Sequence, residues 1–193
     1  MTTFAITGRC LADPAPPDWR ARLINRLGFR PRRMGVWAEL GLYGVLECLA
    51  DAGEAALPGE ATILAASRHG AAAAIREAVA QARIDMPMPL TFLQTQPSQM
   101  LALVAAQIGW TGNACFVTSD HPQDLLRLAA VQAGPKGVLI GWVDEVGAGR
   151  SVWLRLFPSD VQAVNFQIAK ESDIFTASAR YLRIGPAGDM EVS

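Results

Sequence analysis

The 193-residue chain carries seventeen Lys and Arg against eighteen Asp and Glu, a formal net charge of -1, so no global field draws it to nucleic acid or to an anionic membrane. Its hydrophobic content of 51% is ample for a sizeable core, and the length suits one domain spanning residues 1–193. Cys10, Cys48 and Cys115 have no short spacing, residues 1–12 lack a charged start followed by an apolar run, and no stretch reaches the roughly 20 apolar residues of a membrane span; a cytoplasmic protein without disulfide framework, zinc site or membrane contact is expected.

Residues 3–7 read as a short strand ending at Gly8, and Asp13-Pro14-Ala15-Pro16-Pro17 as the loop after it. Trp19, Leu23 and Leu27 are spaced four apart, which predicts a short helix with Gly28 as its stop. The basic group Arg26, Arg30, Arg32 and Arg33 can grip a phosphate, but its commoner meaning is a solvated surface. Over residues 34–52 the apolar positions Trp37, Leu40, Val45, Leu49 and Ala52 fit a helix, with Gly41 and Gly44 leaving room for close packing on another helix.

Residues 61–66 form a nearly all-apolar run, as in a strand buried on both faces, and the alanine-rich residues 71–83 favour a helix. Residues 86–89 break the pattern with two prolines, after which Ser98 is the expected cap of a helix over 99–108. That helix is apolar on nearly every side, which marks it for a core or a subunit interface and predicts at least a dimer. Residues 115–119 suit a strand, Pro122 the first turn of a helix reaching Val131, and 137–143 a second buried strand. Beyond Gly147-Ala148-Gly149, residues 152–157 and 179–184 read as strands and 161–170 fits no pattern. The alternation argues for an α/β fold with parallel pairs joined by right-handed crossovers.

In this order the pieces resemble the N-terminal half of the β-ketoacyl synthases, of thiolase-like fold. The resemblance rests on Phe4-Ala5-Ile6-Thr7-Gly8 with its Asp13-Pro14 loop, on Leu49-Ala50-Asp51-Ala52-Gly53, and on Ile63-Leu64-Ala65-Ala66-Ser67 with Gly70. Its best stretch runs from Gln96-Pro97-Ser98-Gln99-Met100 through Gly109-Trp110-Thr111-Gly112 to Ser119, followed by Gly141-Trp142-Val143-Asp144-Glu145. It covers residues 3–146, leaves 147–193 as a divergent segment, and is closest to short stand-alone forms associated with fatty-acid, polyketide or aryl-polyene gene sets. The fold class it implies is α/β: a thiolase-like half, with a mixed, mainly parallel sheet and flanking helices.

The family seats its nucleophilic cysteine at the start of a buried helix, where the positive helix end favours a thiolate. Counted from Gly112, that seat falls near Ser119, Asp120 and His121, and none of these is cysteine. Cys115 lies earlier, inside the expected strand, where a core role is commoner than a nucleophilic one. The family also uses two later histidines, and no histidine follows His121. The resemblance therefore implies a pseudoenzyme: a non-condensing ketosynthase-like accessory subunit, paired with itself or with a full-length ketosynthase through residues 99–119, and serving an acyl carrier protein.

Two alternatives stay open: acyl transfer or hydrolysis through Ser119 or His121, and an acyl-chain-binding module using Met86, Met88, Phe92 and Met100, residues whose commoner place is the core. His121 itself reads as an exposed helix-start residue, a polar group beneath a dimer interface, or a general base beside Asp120 or Asp124. Ser67-Arg68-His69-Gly70 reads as a strand-to-helix turn rather than a hydrolase triad. Neither metal-ligand spacing nor a phosphate-binding glycine motif is present, so no metal or cofactor is implied.

Overall fold

The protein's structure is a computed structural model describing residues 2–161, 175, 179–185 and 189–193, together with the backbone of Gln167–Ile168. The elements are β1 (Thr2–Ala12), α1 (Trp19–Leu27), α2 (Val36–Asp51), β2 (Thr62–Ser67), α3 (Ala72–Arg83), α4 (Pro89–Gln94), α5 (Pro97–Gln107), β3 (Asn113–Thr118) and α6 (Pro122–Gln132). After these come β4 (Val138–Asp144), β5 (Arg150–Pro158), β6 (Gln167–Ile168), β7 (Tyr181–Ile184) and β8 (Met190–Val192). Apart from Val161 and β6, the stretch 161–170 lies outside the described residues.

Among the described residues the strands form one sheet in the order β3-β2-β4-β5-β1-β7-β8-β6. It is mixed, as expected, but mainly antiparallel: only β2 with β3 and β2 with β4 run parallel. The cause is local. Gly147 and Gly149, both at positive φ, close a tight turn that sends β5 straight back along β4, whereas the parallel strands are separated by whole helices. β5, from the divergent segment, thereby lies between β4 and β1 near the middle of the sheet.

β1 does not stop at Gly8. The pairing of β1 with β5 shifts register between Ile6 and Gly8, a bulge that changes which face the even-numbered residues occupy. Phe4 and Ile6 accordingly join the core on one side of the sheet, while Cys10 and Ala12 join the core on the other. Gly8 is needed at the crossing point, because a Cβ there would overlap Ala52 at the end of α2.

Each face has its own helix. α2 lies across β1, β4 and β5 and buries Trp37, Leu40, Val45 and Leu49; α6 covers β2 and β4 on the opposite side through Leu125, Leu126 and Ala129. Each buried leucine contributes about 1.5–3 kcal/mol relative to exposure. Gly44 of α2 serves contact with the sheet rather than with another helix: a Cβ at Gly44 or at Gly141 of β4 would overlap the Trp153 indole lodged between them.

Other boundaries moved for identifiable reasons. Pro89 sits in the first turn of α4, a helix missed because its prolines read as breakers. α5 begins earlier than expected, with Gln96 as N-cap and Pro97 in the first turn, so Ser98 lies inside the helix. α5 is only half sunk: Met100, Leu101 and Val104 are buried, and Ala102 and Ala106 face solvent. α1 matches its expected bounds, ending on Gly28 at φ 75°. β8 follows the strand expected to be last.

Candidate functional site

The C-terminal ends of the three parallel strands converge on one edge of the sheet, the usual location for function in an α/β fold. β2 ends at Ser67, β4 at Asp144, and β3 passes through Ser119 into α6. Beside them lies a cleft of about 380 Å³ whose walls include Asp13, Arg68, His69, Asp120, Trp142 and Arg150.

Asp144 is the hub of this edge. Its Oδ1 accepts the Ser67 hydroxyl at 2.6 Å and the backbone N–H groups of Arg68 and His69 at 3.2 and 3.0 Å, while Oδ2 accepts the Trp142 indole N–H at 2.6 Å. The Ser67 hydroxyl also accepts the Gly70 N–H at 2.7 Å, so it both donates and accepts within the turn. His69 Nδ1 lies 3.6 Å from the same Oδ1. Serine and histidine therefore converge on one carboxylate oxygen instead of forming a relay, which rules out a triad of the hydrolase kind here. The strand-to-helix turn is the reading the geometry supports.

The expected nucleophile seat lies at the N-terminus of α6. His121 is the N-cap residue, exposed and without a side-chain capping bond, and Pro122 opens the helix. The Ser119 hydroxyl donates to Asp124 Oδ2 at 2.6 Å and accepts the His121 backbone N–H at 2.9 Å. Asp124, in the first turn, also suits the positive end of the helix. Asp120 receives Arg68 Nε at 2.8 Å, an ion pair that joins this loop to the β2 turn. Of the three seat residues, only His121 has no polar partner for its side chain among the described residues.

Cys115 lies within β3, half-buried and packed towards the α6 side, while its neighbour Phe116 faces the α2 side, edge-on to Trp37 at 5.4 Å. Burial pushes the Cys10 thiol up to about 12 and raises Cys48 as well, so both stay protonated. All three cysteines are unbridged. Arg30, Arg32 and Arg33 are exposed, and Arg26 pairs with Glu47 at 3.4 Å; the basic group is a solvated surface.

Met86, Met88 and Phe92 are at the surface, with 64%, 54% and 61% of their area exposed, whereas Met100 alone of that set is in the core. The segment connects α3 to α4, which pack on each other, and Pro89 opens α4. Sequence reading also missed Arg155, wholly buried in the central strand β5, paired with Glu54 at 2.9 Å and donating to Lys136 O at 2.8 Å. An arginine between Leu154 and Leu156 was the available signal. Among the described residues no three potential ligands are grouped to hold a metal, and no helix is long and apolar enough to cross a membrane.

No family model and no curated protein matches the chain. Solved structures do. The chain is similar to a chain of the ketosynthase ApeO in complex with its chain length factor ApeC from Xenorhabdus doucetiae, at TM-score 0.58 and 16% identity over 89% of this chain and 85% of that one. It is also similar to the AntDE:AntF assembly, a type II PKS acyl-carrier protein in complex with its ketosynthase, at TM-score 0.58 and 10% identity over 90% and 71% of the two chains. The ishigamide ketosynthase/chain length factor matches at TM-score 0.63 and 15% identity over 86% of this chain, which spans 64% of that one. These likenesses, with the sheet and helices described above, establish that the chain has the thiolase-like fold seen in ketosynthases and their chain length factors.

Proposed function

We propose that this chain is a non-condensing ketosynthase-like subunit that pairs with a full-length ketosynthase in an acyl assembly line of the fatty-acid, polyketide or aryl-polyene kind. The observation that carries the reading is the seat between β3 and α6. There, Ser119 is committed to Asp124, Asp120 to Arg68, and no thiol is present. A condensing step needs a thiolate to take the acyl chain, and Cys115 sits within a strand instead of at the helix start.

The partner contact is assigned to residues 99–119. β3 stands at the end of the strand order, so its outer edge is open to pairing, and Cys115, Phe116 and Val117 are only half-buried. The similar solved structures in which a ketosynthase is paired with a chain length factor support the same kind of role.

Two measurements test the proposal. Co-expression with the full-length ketosynthase of the same genome is expected to yield a complex that survives gel filtration with light scattering; persistent separation of the two chains would count against it. Incubation with acyl-carrier thioesters is expected to leave the intact mass unchanged, whereas an adduct on Ser119 or His121 would favour an acyl-transfer enzyme.

A further inference from the structure

A cavity of about 130 Å³ lies where the start of α2 meets α4 and α5, and it shares no residue with the cleft beside Asp144. Its apolar lining grades outward: Ala38 and Met100 are buried, Leu103 is half-buried, and Leu90 and Leu93 are exposed. Such a space favours an apolar guest over water, and one of this size takes a body close to benzene in bulk, about six carbon atoms. The charge around it has one sign. Arg33 is on the rim, exposed and in no ion pair among the described residues, and none of the lining residues is Asp or Glu. Arg30 and Arg32 precede it, and no charged residue occurs from Met86 through Ser119. Its backbone is pinned as well: Arg33 stands at φ 63°, where few residues other than glycine sit, and its carbonyl accepts Gln94 Nε2 at 3.3 Å.

An unpaired guanidinium beside an apolar pocket matches an anion with an apolar body, and its planar fork matches a carboxylate. We propose that this cavity binds a small free monocarboxylate, with an apolar body of about six carbons inside and the carboxylate on Arg33. Binding here is reversible and takes place away from the seat at α6. A guest that touches α2, α4 and α5 at once ties the three helices together and stabilises the folded chain. The inference holds whether or not the chain pairs with a ketosynthase.

Titration of the purified chain with hexanoate, followed through backbone amide NMR and the melting temperature, tests this. Hexanoate is expected to bind with a Kd on the order of 1 mM, to shift amides within residues 33–38, 90–94 and 99–103, and to raise the Tm. Dodecanoate is expected to gain less than about threefold over hexanoate, since its added carbons have no cavity to enter. Binding to open apolar surface would instead strengthen roughly fourfold with each methylene. Neutral hexanamide is expected to bind at least about fivefold more weakly than hexanoate, and hexanoate to bind the Arg33→Asn variant more weakly by a similar factor, with part of the loss restored in Arg33→Lys. Asparagine tolerates the positive φ at this position, and the hexanamide comparison tests the need for charge even if that variant fails to fold. Absence of saturable shifts, shifts centred on other residues, equal binding of hexanamide, or affinity that keeps climbing with chain length each overturns the proposal.

Discussion

Asp144 at the end of β4 accepts the hydroxyl of Ser67 at the end of β2 at 2.6 Å, tying the tips of two adjacent parallel strands together. Three further N–H donors converge on the same carboxylate. Asp144→Ala is expected to lower the free energy of unfolding by about 2–4 kcal/mol, because it strands a buried hydroxyl and a buried indole N–H. Urea unfolding measures the loss, and Asp144→Asn, which keeps one acceptor, is expected to lose less.

The buried pair of Arg155 and Glu54 gives a sharper test. Glu54→Gln removes the compensating charge from a guanidinium without solvent access, and a loss of about 2–4 kcal/mol is expected, moderated by the 20% exposure of Glu54. Arg155→Met added to Glu54→Gln is expected to recover part of that stability, since two neutral side chains replace one unpaired charge. A double-mutant cycle by urea unfolding reads the coupling directly.

The thiols differ in access. Iodoacetamide is expected to modify Cys115 in the native protein while sparing Cys10 and Cys48, which intact mass and peptide mapping will show. In the unfolded chain Cys10 and Cys48 ionise near their ordinary value of 9, whereas burial raises both in the folded chain. Above pH 9 the unfolded chain therefore sheds protons that the folded chain keeps, and the thiols' contribution to stability falls as pH rises towards about 12. Urea midpoints across that range check the slope, which is expected to shrink in Cys48→Ala.

Supplying the absent nucleophile should not by itself supply condensation. His121→Cys puts a thiol at the exposed N-cap of α6, where alkylation is expected. Release of carbon dioxide from a malonyl thioester is expected to remain at background, because the chain has no histidine after position 121. Product analysis showing a condensed acyl chain would overturn the non-condensing assignment.

Gly44 and Gly141 hold the Trp153 indole from opposite sides, α2 and β4. Gly44→Ala is expected to destabilise by about 1–3 kcal/mol through overpacking, despite alanine's better helix propensity. Thermal unfolding by circular dichroism tests the sign.

What could be read from the sequence was whatever depends on near neighbours. α1 with its Gly28 stop, the buried runs of β2 and β4, and the helix opened by Pro122 are all local patterns, and they stand where expected. The mainly antiparallel sheet was hidden because β1 finds its partner β5 far along the chain, and no periodicity encodes that. The continuation of β1 past Gly8 was hidden because a bulge glycine and a strand-ending glycine look the same in one dimension. At the site, Ser119 and His121 were named through resemblance, while the bonds of Asp144 to Ser67 and of Arg155 to Glu54 join residues 77 and 101 positions apart.

The long β1 also has a consequence for biosynthesis. Thr7 bonds to the carbonyl of Arg155 across 148 positions of chain, and β7, on the other side of β1, comes later still. β1 leaves the ribosome before both of its neighbours and waits for them, with its apolar side chains exposed in the interval. The residues of β1 are made well before those that pair with them and are locked in place late, a topology that favours slow, largely post-translational closure of the sheet.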